Sequence, residues 1–171
     1  ISNLNVEGYI KANNYVGGIV GYNQGVILNS KNYVNIDAYD FVGGITGFNE
    51  STIDVSLHFG SINAHNYVGG ITGKSLNGKI SHSSNQATIN AHDYVGGILG
   101  HSTVDTEVNH VYSIKEINAL NYVGGLIGLN EGLIHTSYNA SRIYALNYVG
   151  GLIGLNHGYV YEAYAREKIY A

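Results

Sequence analysis

Apolar and polar residues along this chain follow a short pattern that recurs every 26 to 28 residues. Each copy contains Ile-x-Ala, and this period-2 alternation predicts a short β-strand with one face turned inward. An Asn or Asp follows, and then an aromatic residue opens the phrase Val-Gly-Gly-Ile or Val-Gly-Gly-Leu. The aromatic position is occupied in turn by Tyr15, Phe41, Tyr67, Tyr94, Tyr122 and Tyr148.

The rest of each unit predicts turns and further inward positions. An Asn or Asp stands before each aromatic residue, and we expect its side chain to form a turn by bonding the backbone two residues on. A bend at the Gly pair would turn the Val before it and the Ile or Leu after it both inward. In the second half of the unit we expect Ile134, Val160, Ser137 and Ala163 to face inward. Insertions lengthen the third and fourth units there, which predicts loops.

This periodicity predicts an all-β, right-handed β-solenoid of about six coils of 26–28 residues, covering residues 1–171 as a single repeat domain. A unit with about three short strands cannot bury its own apolar face, so we expect each strand to pair with its copy in the next coil. The coils would then be spaced by roughly 4.8 Å. Helix-pair repeats and propeller blades need longer units and fit the pattern badly.

Composition narrows the function classes. The chain has 24 Gly and 16 Tyr but no Pro, Trp, Cys or Met, and its formal net charge is -4. The lack of Cys excludes disulfides and thiolate chemistry, and the lack of a basic run argues against nucleic acid as a partner. Gly and Asn interrupt every apolar run, so we expect no membrane span. Because Met is absent, we expect a piece of a larger protein with flanking domains.

Three segments invite a chemical interpretation, and each is better explained as part of the repeat. The run Gly69–Ser75 resembles a phosphate loop, but Val68 stands where that motif needs its first Gly. His65 and His92 share a column and would be neighbours between coils, yet two ligands alone do not make a metal site. Asp37 and Asp40 lie close in sequence without a converging partner for catalysis. We therefore expect no catalytic residue, no cofactor and no metal.

The aromatic column is the strongest candidate for a functional surface. We interpret it first as an intramolecular stack that holds adjacent coils together. The alternative is an exposed aromatic strip that contacts sugar rings or protein. Phe41 favours the stack, because it occupies the position without a hydroxyl group. A second column varies in polarity, which places it at a corner or facing solvent; its members are Tyr22, Phe48, Lys74, His101, Leu129 and Leu155.

The repeat resembles the GLUG motif family, whose unit reads hydrophobic-Gly-Gly-Leu-hydrophobic-Gly, then Asn, Gly and a later Ser-Tyr. The best copy runs from Tyr122 to Gly132 and continues to Asn139; the copies at Tyr148 and Tyr15 also match. The second to fourth copies depart after the Gly phrase, at Glu50, Lys74 and His101.

The resemblance covers the whole chain and implies a part of a large bacterial surface or secreted protein, such as a haemagglutinin-like adhesin or an IgA-specific metallopeptidase. It implies an extracellular, non-catalytic stalk or adhesive surface whose partner is a host protein or glycan. The alternative is an accessory substrate- or glycan-binding module of a secreted metallopeptidase, with catalysis elsewhere in the parent chain.

Overall fold

The regular structure of this chain consists entirely of β-strands, as a computed structural model that describes residues 1–171 shows. The strands stack as a β-solenoid of about six coils, which confirms the fold class predicted from the repeat. The first four coils each contribute five short strands rather than three, because the chain bends more often than the apolar pattern reveals; in the last two coils the split-sheet pair is joined into one strand, which leaves four. With no helix present, there is none that could cross a membrane.

Two six-stranded sheets carry the Gly phrase. The aromatic sheet, which contains the aromatic column, consists of Asn14–Gly17, Asp40–Gly43, Asn66–Gly69, Asp93–Gly96, Asn121–Gly124 and Asn147–Gly150. The corner sheet follows the Gly pair and consists of Val20–Asn23, Thr46–Asn49, Thr72–Ser75, Leu99–Ser102, Ile127–Asn130 and Ile153–Asn156.

Two further sheets complete the coil. The split sheet has eleven strands, namely Asn5–Val6, Ile27–Leu28, Lys31–Asn32, Thr52–Asp54, Leu57–His58, Lys79–Ser81, Ser84–Asn85, Glu107–Asn109, Tyr112–Ser113, Leu133–Asn139 and Tyr159–Ala165. The isoleucine sheet has seven, namely Tyr9–Lys11, Asn35–Asp37, Ile62–Asn63, Ile89–Asn90, Ile117–Asn118, Ile143–Tyr144 and Ile169–Tyr170.

Every strand pairs in parallel with its copy in the neighbouring coil. Val16 lies opposite Val42, and Val68 lies opposite Val95, so equivalent residues of the repeat stand above one another. Compared with the coil before it, the third coil has one extra residue between Ser75 and Lys79. The fourth coil has one more between Ser102 and Glu107. The inserted residues lie outside the strands at these corners, which confirms the predicted loop positions.

The Gly pair produces the predicted bend. Val42 and Ile45 flank Gly43 and Gly44, and both apolar side chains are fully buried. The second Gly of each pair is needed for close approach: a Cβ at Gly70 would lie 2.2 Å from the carbonyl oxygen of Gly97. Only a residue without a side chain lets the bends of successive coils stack this tightly.

The interior contains two apolar clusters. One joins the isoleucine sheet to the aromatic sheet through Ile36, Ala38, Val42 and their copies in other coils. The other contains Ile45, Ile53 and their copies. Ile134 and Ser137 are buried as predicted, but Val160 is exposed, because no coil of this chain stacks on its outer side.

A buried polar column separates the two clusters. Asn32 lies between the residues of the two clusters along the chain, and its Nδ2 donates a 2.5 Å hydrogen bond to the carbonyl oxygen of Gly44. Asn139 makes the equivalent bond to Gly151, at 2.9 Å. These side chains link the split sheet to the Gly bends and satisfy backbone groups that would otherwise be buried without a partner.

Candidate functional site

The predicted aromatic column forms a continuous stack along the solenoid. Neighbouring rings have centroids 4.9, 4.8, 4.8, 4.7 and 4.5 Å apart and lie within 8° of parallel. The stack contains Tyr15, Phe41, Tyr67, Tyr94, Tyr122 and Tyr148. Ring stacking between coils is therefore the interpretation of this column that the structure supports.

The same rings are also partly open to solvent. Tyr15 and Tyr148, at the two ends of the stack, are exposed, and the four rings between them are half-buried. The aromatic edges thus form a strip along one corner of the rod. Contact between this strip and a ligand stays a prediction.

Every residue of this column adopts a left-handed backbone conformation, with φ between 51° and 56°. This conformation is unfavourable for a residue with a side chain and costs roughly 1–2 kcal/mol. The stacked rings offset the cost, because each aromatic pair contributes about 0.5–1.5 kcal/mol beyond the area it buries.

The Asn or Asp before each aromatic residue does not form the predicted turn. From the second coil onward its side chain instead bonds a copy in a neighbouring coil, as in the 2.9 Å bond from Nδ2 of Asn66 to Oδ1 of Asp40. The local turn occurs one strand later, where Nδ2 of Asn49 donates to the carbonyl oxygen of Ser51 at 2.7 Å. The chain turns at the aromatic residue itself, which leaves the preceding side chain free to bond along the axis.

The second column packs beside the aromatic stack, as expected for a corner. The ring centroids of Tyr15 and Tyr22 are 6.4 Å apart, and those of Tyr67 and His101 are 6.0 Å apart. Tyr22 is exposed, whereas Leu129 and Leu155 are half-buried. The two columns together form one aromatic and apolar surface at this corner.

The hydroxyls of Tyr94 and Tyr122, within the stack, stay protonated at neutral pH. Burial raises the pKa of Tyr94, and the neighbouring Tyr67 and Asp93 raise it further. Burial likewise raises the pKa of Tyr122, with added contributions from Tyr148 and Tyr94. At these two positions the strip therefore presents neutral hydroxyl groups that donate and accept hydrogen bonds.

The other candidates from the sequence have structural roles. Asp37 accepts a hydrogen bond from the Tyr9 hydroxyl at 3.2 Å, whereas Asp40 bonds Asn66. Lys74 lies within the corner sheet as an ordinary member of its column. No group of three or more His, Asp or Glu side chains is close enough together to hold a metal ion.

The structure adds a groove that the sequence did not predict. It has a volume of about 670 Å³ and runs along the axis beside the isoleucine sheet. Its floor is the alanine column, and one wall is the amide column Asn63, Asn90 and Asn118. The other wall contains Tyr39, His65, His92 and Leu120. In the sequence, the amide wall is indicated by the polar residue that recurs between Ile and Ala in Ile-x-Ala.

No protein-family model, curated protein or solved structure matches this chain. The interpretation of its function therefore depends on the geometry of the coils, the aromatic strip and the groove.

Proposed function

We propose that this chain is a rigid, non-catalytic repeat region of a large bacterial cell-surface or secreted protein, where it acts as a stalk and binding surface. The observation that carries the proposal is the unbroken parallel register, in which every coil pairs with the next through all four sheets. Hydrogen-bonded neighbours on all sides leave each coil little freedom to tilt.

Side-chain columns reinforce this rigidity. The buried amide of Asn23 donates to Oδ1 of Asn49 at 2.8 Å, and that of Asn130 donates to Oδ1 of Asn156 at 2.8 Å. Buried and fully bonded polar networks of this kind fix one arrangement of neighbouring elements. A stiff rod of stacked coils is the shape that a spacer requires.

The extracellular location and the adhesive role are supported by the resemblance of the repeat to the GLUG motif family. The partly exposed aromatic strip supports a binding surface, since tyrosine combines an apolar face with a polar hydroxyl group and is enriched at interfaces. A host protein or a host glycan is the proposed partner class.

Rigidity can be tested directly, because the chain has no Cys of its own. Gln24 and His157 are exposed and occupy equivalent positions five coils apart. In the Gln24→Cys/His157→Cys double variant, spin labels should give a single narrow distance distribution. Its centre should lie near 24 Å, which is five coil spacings of about 4.8 Å, after correction for the labels. A broad or multi-peaked distribution would overturn the stalk proposal.

A second candidate is an accessory glycan- or substrate-binding module of a secreted metallopeptidase, and the axial groove is the observation that favours it. Deletion of the repeat from such a parent protein should lower kcat/KM for a glycosylated substrate. Cleavage of a short unglycosylated peptide should continue at the same rate. Equal loss on both substrates would contradict this candidate.

A further inference from the structure

The axial groove crosses several coils. Ala38, Ala64, Ala91 and Ala119 line its floor, and their small side chains leave the space open. A second cavity of about 260 Å³, lined by Ala12 and Asn13, shares Lys11, Asp37 and Tyr39 with the first and continues it into the first coil. The result is a long, open channel with a weakly apolar floor and polar walls.

One wall is a ladder of amides with unused hydrogen-bonding capacity. Asn90 donates to Asn63 at 2.9 Å, and Asn118 donates to Asn90 at 3.0 Å. Each amide has two N–H groups and two acceptor lone pairs, so this chain of bonds leaves Asn90 with one donor and one acceptor site free. Nδ2 of Asn63 has no partner within the chain. Asn118 keeps free acceptor sites but no free N–H, because its Nδ2 also donates to Oε1 of Glu116 at 3.0 Å. The free groups therefore differ from coil to coil along the groove.

The opposite wall presents imidazoles whose nitrogens make no hydrogen bond within the protein. The rings of His65 and His92 stack with centroids 4.5 Å apart, and the ring of Tyr39 lies 4.5 Å from His65. Neither imidazole makes a hydrogen bond within the chain, whereas His82, His101 and His135 each bond a carboxylate. The groove histidines are therefore free to bond a ligand.

The groove has no net formal charge near neutral pH. Its only charged side chains are Lys11 and Asp37, which lie 3.9 Å apart and compensate each other. An acidic polysaccharide would find no cluster of positive charge there, and neither would a nucleic acid. The walls instead match hydroxyl groups, which both donate and accept hydrogen bonds.

We propose that this groove binds an extended neutral polysaccharide of β-linked hexopyranose units. The proposal rests on the binding-surface part of the proposed function and names its ligand class. Sugar rings would lie along the alanine floor, with their hydroxyl groups bonded to the amide ladder on one side and to the imidazoles on the other.

The spacing of the walls favours a glycan over an extended peptide. Equivalent groups recur along the groove at about 4.8 Å, the distance between neighbouring strands. An extended peptide presents equivalent groups on one side only every two residues, about 6.8 Å, and so loses register within two coils. Successive rings of a straight β-1,4-linked hexopyranose chain are flipped, so equivalent hydroxyl groups face one side at every second ring. This two-ring repeat is close to two coil spacings, about 9.6 Å, so alternate rings meet equivalent groups in alternate coils.

The test measures binding of cellohexaose and chitohexaose by isothermal titration calorimetry, with hexagalacturonate as the acidic comparison. At least one neutral hexasaccharide should bind, and the acidic one should bind more weakly. His92→Ala and Asn90→Ala should each weaken binding about tenfold, the effect of losing one hydrogen bond. His110→Ala is the matched control, because His110 also stacks on a histidine, His82, but lies outside the groove; its affinity should stay within about twofold.

Thermal unfolding of each variant establishes that the coils remain folded. The inference is overturned if neither neutral hexasaccharide binds, if hexagalacturonate binds more tightly, or if His92→Ala and His110→Ala have equal effects. Absence of binding together with a narrow spin-label distance distribution would reject the glycan groove and leave the rigid stalk intact. A broad distribution would reject the stalk itself.

Discussion

His58 is the residue whose environment differs most from that of its copies in the other coils. The column that divides the core is built mostly from small polar side chains, and His58 is its one ring; the other members are Val6, Asn32, Asn85, Ser113, Asn139 and Ala165. Complete burial lowers the pKa of His58 to about 4, although bonds to Val34, Asn85 and Gly70 oppose the shift. The imidazole is therefore neutral in the folded protein.

This buried imidazole should make stability depend on pH. Between pH 6.5 and pH 4 the unfolded chain binds a proton at His58 that the folded chain does not, so the free energy of unfolding falls as pH falls through this range. The pKa difference corresponds to about 3 kcal/mol. In His58→Asn this contribution disappears, and chemical denaturation at pH 7, 5.5 and 4.5 should show a weaker decline than in the parent.

His157→Asn is the matched control for this measurement, because the side chain of His157 is exposed and makes no hydrogen bond within the chain. Its stability should follow the parent at every pH. Equal pH dependence in His58→Asn and the parent would show that the imidazole does not stay neutral in the fold.

At the scale of the strand and the turn, each coil contains a second left-handed corner besides the aromatic one. It lies in the split sheet, where successive coils place Asn3, Asn29, Val55, His82, His110, Thr136 and Glu162 at φ between 45° and 57°. Asn is among the residues with side chains that tolerate this conformation best, whereas a β-branched residue is strained there. Val55 and Thr136, the two β-branched residues, are therefore the least suitable members of the column.

Replacement of Val55 by Asn should stabilise the protein by about 1 kcal/mol, because it removes this strain. The new amide would also face Asn29, which already donates a 2.6 Å bond to Asn3. Val26→Asn is the control: Val26 and Val55 are both 46% exposed, but Val26 has no left-handed backbone. Equal changes in the midpoint of denaturation for both variants would rule out backbone strain as the cause.

The sequence predicts the strand columns well and the corners poorly. Ile36 and Ala38 face inward because alternation and burial are both encoded in the residue types themselves. The left-handed corner at Tyr67 has no such sign, since stacking on rings 26 and 27 residues away, rather than local preference, offsets its cost. The sequence does not predict the groove for a related reason. Its outer wall changes from Tyr39 to His65 to Leu120, and a column whose residue type varies cannot be told from other exposed positions of the repeat.

The whole molecule consists of interchangeable coils in one register. The pairs Asn121 with Asn147 and Ile127 with Ile153 show that two successive coils differ by a shift of 26 residues and little else. In such quasi-one-dimensional folds, stability is close to a sum of coils and of the interfaces between neighbours. A complete coil should therefore be removable without loss of the fold.

Deletion of residues 122–147 joins Asn121 to Tyr148, which restores the Asn-Tyr step of the parent sequence. We expect a folded solenoid that is shorter by about 4.8 Å and unfolds at a lower temperature, measured by circular dichroism and by the Gln24→Cys/His157→Cys distance. Deletion of residues 122–134, half a coil, puts the residues after the junction out of register with the coil before it, and should lower the unfolding temperature more than deletion of the complete coil does. Equal stability of the two deletions would contradict the model of interchangeable coils.

The direction of the backbone hydrogen bonds has a mechanical consequence. They run from coil to coil, so tension along the rod pulls directly along these hydrogen bonds. The outermost coil therefore separates before the next coil is strained. A freed coil of 26 residues extends to about 90 Å, in place of the roughly 4.8 Å it occupied. Under a pulling force the rod would unfold one coil at a time. Each unfolding step would lengthen the chain and lower the force on a bond at its tip.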